Sequence, residues 1–317
     1  MHDPTHTDVL ISEVGPRDGL QSVQAVMPTP DKLAWITALS AAGLREIEVG
    51  SFVPPKLLPQ MADVAEVVRH ALTMPGLHVT ALAPNLRGAQ AAFEAGVHKL
   101  TIPVSVSESH SLANVRKTRT QMLDEVASIV ALRNERFPSI TLEAGLSTAF
   151  GCTIEGVVPQ DEVVRLAIAL IERGIDEAGP SDTSGYANPA QVRRLFTRLH
   201  SEIGAARTGG AHFHNTRGQG LANVVSALEV GVTTFDASQG GIGGCPYAPG
   251  ATGNIVTEDL VWMLESMGLR TGVDIEALLA ARDALRAALP GEPLYGYLSE
   301  AGLDKGFVYA RSAGGRS

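Results

Sequence analysis

The chain has 317 residues, 44% of them hydrophobic but only 5% aromatic, with 33 glycines. That is enough apolar material for one large core, and the balance suits close helix–sheet contacts of an α/β protein better than a β-sandwich interior. A formal net charge of -9 excludes electrostatic attraction to phosphate backbones or anionic membranes, so neither nucleic acid nor a membrane is an expected partner.

Along the chain, short β-branched or apolar runs alternate with longer segments of helical period, and the alternation repeats eight times. The predicted strands are Val9 to Glu13, Glu46 to Val49, Val79 to Leu82, Lys99 to Val104, Thr141 to Leu146, Ile175 to Ala178, Ala211 to His214 and Thr234 to Ala237. Thr29-Pro30-Asp31 supplies an N-cap followed by proline at the first helical position, and that helix is expected to stop at Gly43. Gln160 to Ile171 carries acids in its first turn and a broad apolar face, and Asn188-Pro189 repeats the start signal. After Gly272 one more helical segment, Ile275 to Ala288, precedes a small polar tail.

These elements predict a (β/α)8 TIM barrel over residues 1–272, with residues 273–317 as a short C-terminal helical extension packed on it. An open doubly wound sheet would show the same alternation. Two observations favour the barrel: polar clusters follow six of the eight strands, and no G-x-G-x-x-G follows the first. The only cysteines, Cys152 and Cys245, are too few for a disulfide scaffold, and no signal-like start or membrane-length apolar run is present. The expected location is the cytoplasm.

His212-Phe213-His214 ends the seventh strand, so both imidazoles share one face, roughly 6 to 7 Å apart along the chain, and can converge on one metal. Asp18 follows the first strand within Val14-Gly15-Pro16-Arg17-Asp18-Gly19, a run that also reads as simple turn chemistry. Arg17 turns toward the same rim, where a guanidinium could hold an oxygen as it gains charge. Ser238 to Asn254 surrounds Cys245 with glycines, a composition suited to a loop that closes over a ligand.

The segments EVGPRDGLQ (13–21), IEVGSFVPPKLLPQMAD (47–63), APNLRG (83–88), SDTSG (181–185), HFHNTRGQGLANVVSALEVGV (212–232) and GGIGGCPYAPGATGNIVTEDLVWMLE (240–265) resemble the 3-hydroxy-3-methylglutaryl-CoA lyase family. The resemblance implies a homodimeric carbon–carbon lyase that cleaves an acyl-CoA substrate by a retro-Claisen reaction to acetyl-CoA and a keto acid. It implies a divalent cation, Mg²⁺ or Mn²⁺, held by Asp18, His212, His214 and Asn254. His212 with Asp182 would remove the 3-hydroxyl proton, Arg17 would steady the enolate, Cys245 would reprotonate it, and Glu48 would support the site. Gln21, Asn85, Asn114, Arg217, Gly243 and Gly244 are the remaining substrate-binding candidates, and Arg87, Arg116, Lys117 and Arg119 are candidates for CoA phosphates.

The chain departs from the family pattern at four places. Phe213 stands between the histidines in place of cysteine, and Asn215-Thr216-Arg217-Gly218 replaces Asp-Thr-Tyr-Gly. Pro180-Ser181-Asp182-Thr183-Ser184-Gly185 replaces Leu-Gly-Asp-Thr-Ile-Gly, and Gln239-Gly240 replaces Val-Ala. These changes leave the metal set intact but bear on the acyl pocket. A related substrate, such as citramalyl-CoA or another C3-substituted ester, and a Claisen-condensing synthase of the isopropylmalate synthase type therefore stay open.

Overall fold

The computed structural model describes residues 7–243 and 253–310. Eight parallel strands close into one barrel in chain order: β1 (Leu10–Glu13), β2 (Glu46–Ser51), β3 (His78–Leu82), β4 (Lys99–Ser105), β5 (Thr141–Ser147), β6 (Glu177–Asp182), β7 (Ala211–Phe213) and β8 (Thr234–Ala237). Helices lie between them, including Thr29–Ala41, Leu86–Ala95, Gln160–Glu172, Pro189–Ile203 and Thr257–Ser266. No helix among the described residues is long and apolar enough to cross a membrane.

Strand β5 shows how the barrel is filled. Leu142, Ala144 and Leu146 are buried on the outer face toward the helices, while Glu143, Gly145 and Ser147 line an interior cavity. The hydrophobic core is therefore the ring between sheet and helices, with members such as Ile47, Leu100, Phe196 and Phe235. Cavity room at the strand ends comes from small and polar inward residues.

Local signals act much as chemistry demands, with two shifts. Gly43 takes φ +103 after the Thr29–Ala41 helix, and a Cβ there would lie 2.2 Å from the Gly272 carbonyl oxygen. Asn188 caps Pro189–Ile203 by accepting from the Gln191 N–H at 3.1 Å, in a full capping box. Thr29 is already inside its helix, however, because its hydroxyl donates to Asp63 at 2.7 Å instead of capping. Strand β6 begins two residues later than predicted and runs on through Gly179-Pro180-Ser181. That tripeptide reads as a turn, but pairing with β5 on one side and β7 on the other holds it extended.

The segment after Gly272 packs on the barrel. Helix Ile275–Ala288 lies against Thr29–Ala41, its Arg282 pairs with buried Glu258 at 2.8 Å, and the Leu278 carbonyl accepts from Gln239 Nε2 at 2.7 Å. The end of the predicted tail, residues 311–317, lies outside the described residues.

Candidate active site

Three buried or half-buried side chains meet at the C-terminal mouth of the barrel. Asp18, His212 and His214 offer ligand atoms that all lie within 4.8 Å of one another. Asp18 is delivered by a single π-helical turn, Gly15–Gly19, in which the Val14 carbonyl accepts from the N–H groups of Arg17, Asp18 and Gly19. Such wide turns recur at functional sites because they reposition a side chain relative to a regular helix.

His214 was expected inside β7, but the strand ends at Phe213 and His214 instead forms an isolated antiparallel bridge with Asn254. The bridge brings the asparagine to the cluster: its Nδ2 lies 2.7 Å from Asp18 Oδ2, and its buried Oδ1 has no partner among the described residues. The two Nε2 atoms of His212 and His214 face each other at 3.0 Å, and His214 Nε2 is 3.7 Å from Asp18 Oδ2. Converging nitrogen and carboxylate donors with an unspent amide oxygen fit a divalent cation.

Charge around the cluster is tightly ordered. Burial alone would raise Asp18, but Arg17 and the two imidazoles hold it well below the usual carboxylate range. Burial likewise opposes the Arg17 charge, yet Glu48 and Asp18 outweigh it and push the guanidinium higher still. Arg17 spans the two acids, with Nε on Glu48 and Nη1 2.5 Å from Asp18 Oδ1. Glu48 is raised by burial despite Arg17, and its Oε1 is buried without a hydrogen-bond partner among the described residues. Burial lowers His214, whereas in His212 the same burial is overcome by Asp236, which raises it.

A cavity of about 850 Å³ opens beside the cluster and is lined by Arg17, Asp18, Gln21, Glu48, Asn85, Asn114, His212 and His214, among others. Gln21 Nε2 donates to Asp18 Oδ1 at 3.2 Å, and Asn85 Oδ1 also caps the Leu86–Ala95 helix at the Gly88 N–H. Gly243 packs against the cluster itself: a Cβ there would lie 2.6 Å from Asn254 Nδ2. Arg116 and Lys117 reach the cavity rim, with Lys117 held by Glu125 at 2.6 Å. Arg87 is exposed, and Arg119 is shared between Glu108 and Glu162.

Two expected site residues sit elsewhere. Asp182 is not part of the cavity wall; its neighbours Ser181 and Thr183 are, and its Oδ1 accepts from the N–H groups of Tyr186 and Ala187. Strand alternation is the reason, because Ser181 pairs with inward His212 and Asp182 pairs with buried Phe213. Burial raises Asp182 to about 6. Arg217 does not line the cavity either; it stacks 4.4 Å over the Tyr186 ring and donates to the Ser184 and Gly185 carbonyls. Cys245 and Gly244 lie outside the described residues.

Asp236 is a functional candidate that sequence reading passed over. Its Oδ2 is 3.0 Å from His212 Nδ1. An acid in the middle of a short buried strand, Thr-Phe-Asp-Ala, one strand from H-x-H, was the available signal.

The family model described as HMGL-like matches residues 8–285. The hydroxymethylglutaryl-CoA lyase YngG of Bacillus subtilis is 43% identical over 291 residues, spanning 92% of this chain and 96% of the relative. A Pseudomonas aeruginosa protein named as a 3-hydroxy-3-isohexenylglutaryl-CoA/hydroxymethylglutaryl-CoA lyase is 40% identical, spanning 89% of this chain and 93% of the relative. The solved structure of an HMG-CoA lyase from Acinetobacter baumannii, in complex with coenzyme A and 3-methylmalate, is similar with a TM-score of 0.89 and 40% identity, covering 95% of this chain and 97% of that one.

Proposed function

Because this chain belongs to the HMGL-like family, we propose that it cleaves 3-hydroxy-3-methylglutaryl-CoA by a retro-Claisen reaction, releasing acetyl-CoA and acetoacetate. The observation that carries the reading is the convergence of Asp18, His212 and His214 within 4.8 Å at the barrel mouth, beside the Arg17 guanidinium.

In this reading Asp18, His212, His214 and Asn254 would hold a divalent cation, and the mixed oxygen and nitrogen set suits Mg²⁺ or Mn²⁺. Such an ion supplies Lewis acidity that makes the substrate's 3-hydroxyl easier to deprotonate. His212 cannot serve as ligand and base together. Its Nδ1 is engaged by Asp236 and its Nε2 points into the cluster, so no basic nitrogen is left over.

Glu48 is better placed to take the proton. It lines the cavity, its Oε1 has no partner among the described residues, and burial makes it a stronger base than an ordinary glutamate. Loss of the hydroxyl proton lets the C3–O electrons form the ketone as the C2–C3 pair moves to give the acetyl-CoA enolate. Arg17, with Nε and one Nη1 hydrogen committed to acids, keeps further donors for the enolate oxygen. Cys245 is assigned the return of a proton to C2. The described residues on either side of it end at Gly243, which packs against Asp18 and Asn254, and resume at Gly253, which packs against Gly241 and Ile242. Proton transfer from Glu48 to the thiolate restores the starting state. A cytoplasmic homodimer completes the reading, supported by the family resemblance and the sparse cysteines.

The deciding experiment is acetyl-CoA release from 3-hydroxy-3-methylglutaryl-CoA with Mg²⁺ or Mn²⁺, for the full chain and for Cys245→Ala. Turnover by the native chain and a strong drop in the variant are expected. No acetyl-CoA under either ion would sink the lyase reading, and undiminished turnover in the variant would remove the thiol from it.

A further inference from the structure

Across the barrel from Arg17, the strand register places hydroxyls in one row leading away from the cation cluster. Ser181 of β6 pairs with His212 of β7, and Ser147 of β5 lies one residue beyond the Leu146–Pro180 pair, beside Ser181. Ser105 of β4 pairs with Ser147. The row ends in an imidazole: Ser105 Oγ is 2.8 Å from His110 Nδ1.

His110 is only 3% exposed and lines the cavity, yet its Nε2 has no hydrogen-bond partner among the described residues. A buried ring nitrogen left unpaired is costly, so this atom is best explained by a ligand group. One layer below, Gly145 of β5 leaves space. A Cβ there would meet nothing closer than Thr101 Cγ2 at 3.6 Å and Ser181 Oγ at 3.9 Å. Ser181 is itself a departure, standing where the family pattern has glycine. A methyl group could neither fill this wall nor satisfy it.

The chemistry of the wall limits what it takes. Burial lowers His110 although Glu155 opposes the shift, so the ring is neutral near pH 7. Lys99, the cation beneath, is already held by Glu46 at 2.7 Å and Glu143 at 3.2 Å, so its own charge is committed and is not offered to a second carboxylate. A hydroxyl both donates and accepts, so it matches either tautomer of His110 and the serine hydroxyls alike.

We propose that Ser147, Ser181 and His110, with the room left by Gly145, form a subsite for a hydroxyl-bearing substituent on C3 of the acyl group. The chain would then prefer 3-hydroxyglutaryl-CoA esters whose C3 carries a hydroxyalkyl group larger than methyl. This rests on the lyase reading above.

The test compares kcat/KM of the full chain, with Mn²⁺, for the 3-(2-hydroxyethyl), 3-propyl and 3-methyl esters of 3-hydroxyglutaryl-CoA. The hydroxyethyl ester should exceed both others by about tenfold or more. His110→Leu should bring the hydroxyethyl and propyl esters close to equality, and Gly145→Val should penalise both relative to methyl. Cleavage of the methyl ester with no gain for hydroxyethyl overturns the subsite and leaves the lyase reading standing. Equal losses on all three esters in His110→Leu overturn it as well, since they assign the imidazole to the shared CoA arm. Failure to cleave any of the three ends both readings. The native-chain comparison decides the matter even if a variant does not fold.

Discussion

Asp236 stands directly across the β7–β8 pairing from His212, with its Oδ2 3.0 Å from the imidazole Nδ1. A carboxylate on that nitrogen fixes the tautomer and aims the Nε2 lone pair at the cluster, and it also raises His212 against the effect of burial. Asp236→Asn preserves the shape but lets the ring flip or change tautomer. Mn²⁺ affinity measured by calorimetry is expected to fall about 10- to 100-fold. An unchanged affinity would show that Asp236 does not orient a ligand.

Arg17 contacts two acids at once, which only a planar fork can do from one position. Lysine would keep the charge and lose the geometry. In Arg17→Lys, turnover should drop roughly 10²- to 10³-fold, as for removal of one oxyanion donor, while Mn²⁺ binding changes far less. If kcat stays within a few-fold of native, the enolate is stabilised by other groups.

Most of the barrel was legible because its strands carry the composition of buried β-structure and its helices carry caps. Where legibility failed, the cause was tertiary. Gly179-Pro180-Ser181 has turn chemistry but is clamped between β5 and β7, so the reading of β6 began two residues too early and stopped four residues short. His214 looked like strand because periodicity cannot see a bridge to Asn254, forty residues downstream. Asp236 is one acid in a four-residue strand, and only the barrel's closure gives it a histidine to serve. Asp182 and Arg217 were placed in the site by motif alone. Alternation along β6 turns the first away from the cavity, and Tyr186 holds the second.

Lys99 tests the polar interior of the barrel. It is largely buried between Glu46 and Glu143, and its charge is strengthened because those acids outweigh the penalty of burial. Lys99→Met would leave two carboxylates facing each other in the barrel. The expected loss in urea unfolding is about 3 to 5 kcal/mol, the range for breaking a buried pair on one side. Glu143 is itself raised to about 7 by burial, so part of the loss should be relieved below that pH by protonation. A loss that stays the same from pH 8 to pH 6 would mean that the carboxylates find other partners.

Glu13 couples the end of β1 to the active-site turn. Its Oε1 accepts from the Gly15 N–H at 2.8 Å and the Gln239 N–H at 2.9 Å, and its Oε2 accepts from the Thr257 hydroxyl at 2.7 Å. Burial outweighs these bonds and pushes the carboxyl up to about 8. The native group therefore keeps its proton where the unfolded chain, ionising near 4.5, has lost it. The stabilisation is fully present below pH 4.5 and is lost progressively as pH rises to about 8, with a slope of at most about 1.4 kcal/mol per pH unit. Glu13→Gln keeps an acceptor for both amides and offers Nε2–H to Thr257, but it cannot ionise. Glu143 and Asp182, raised to about 7 and about 6, add slopes of their own at lower pH, so the contrast is cleanest between pH 7 and 8. Over that interval, equilibrium unfolding should show native stability falling more steeply than that of the Gln variant; parallel declines would mean that Glu13 is already ionised in the fold, held by its three donors.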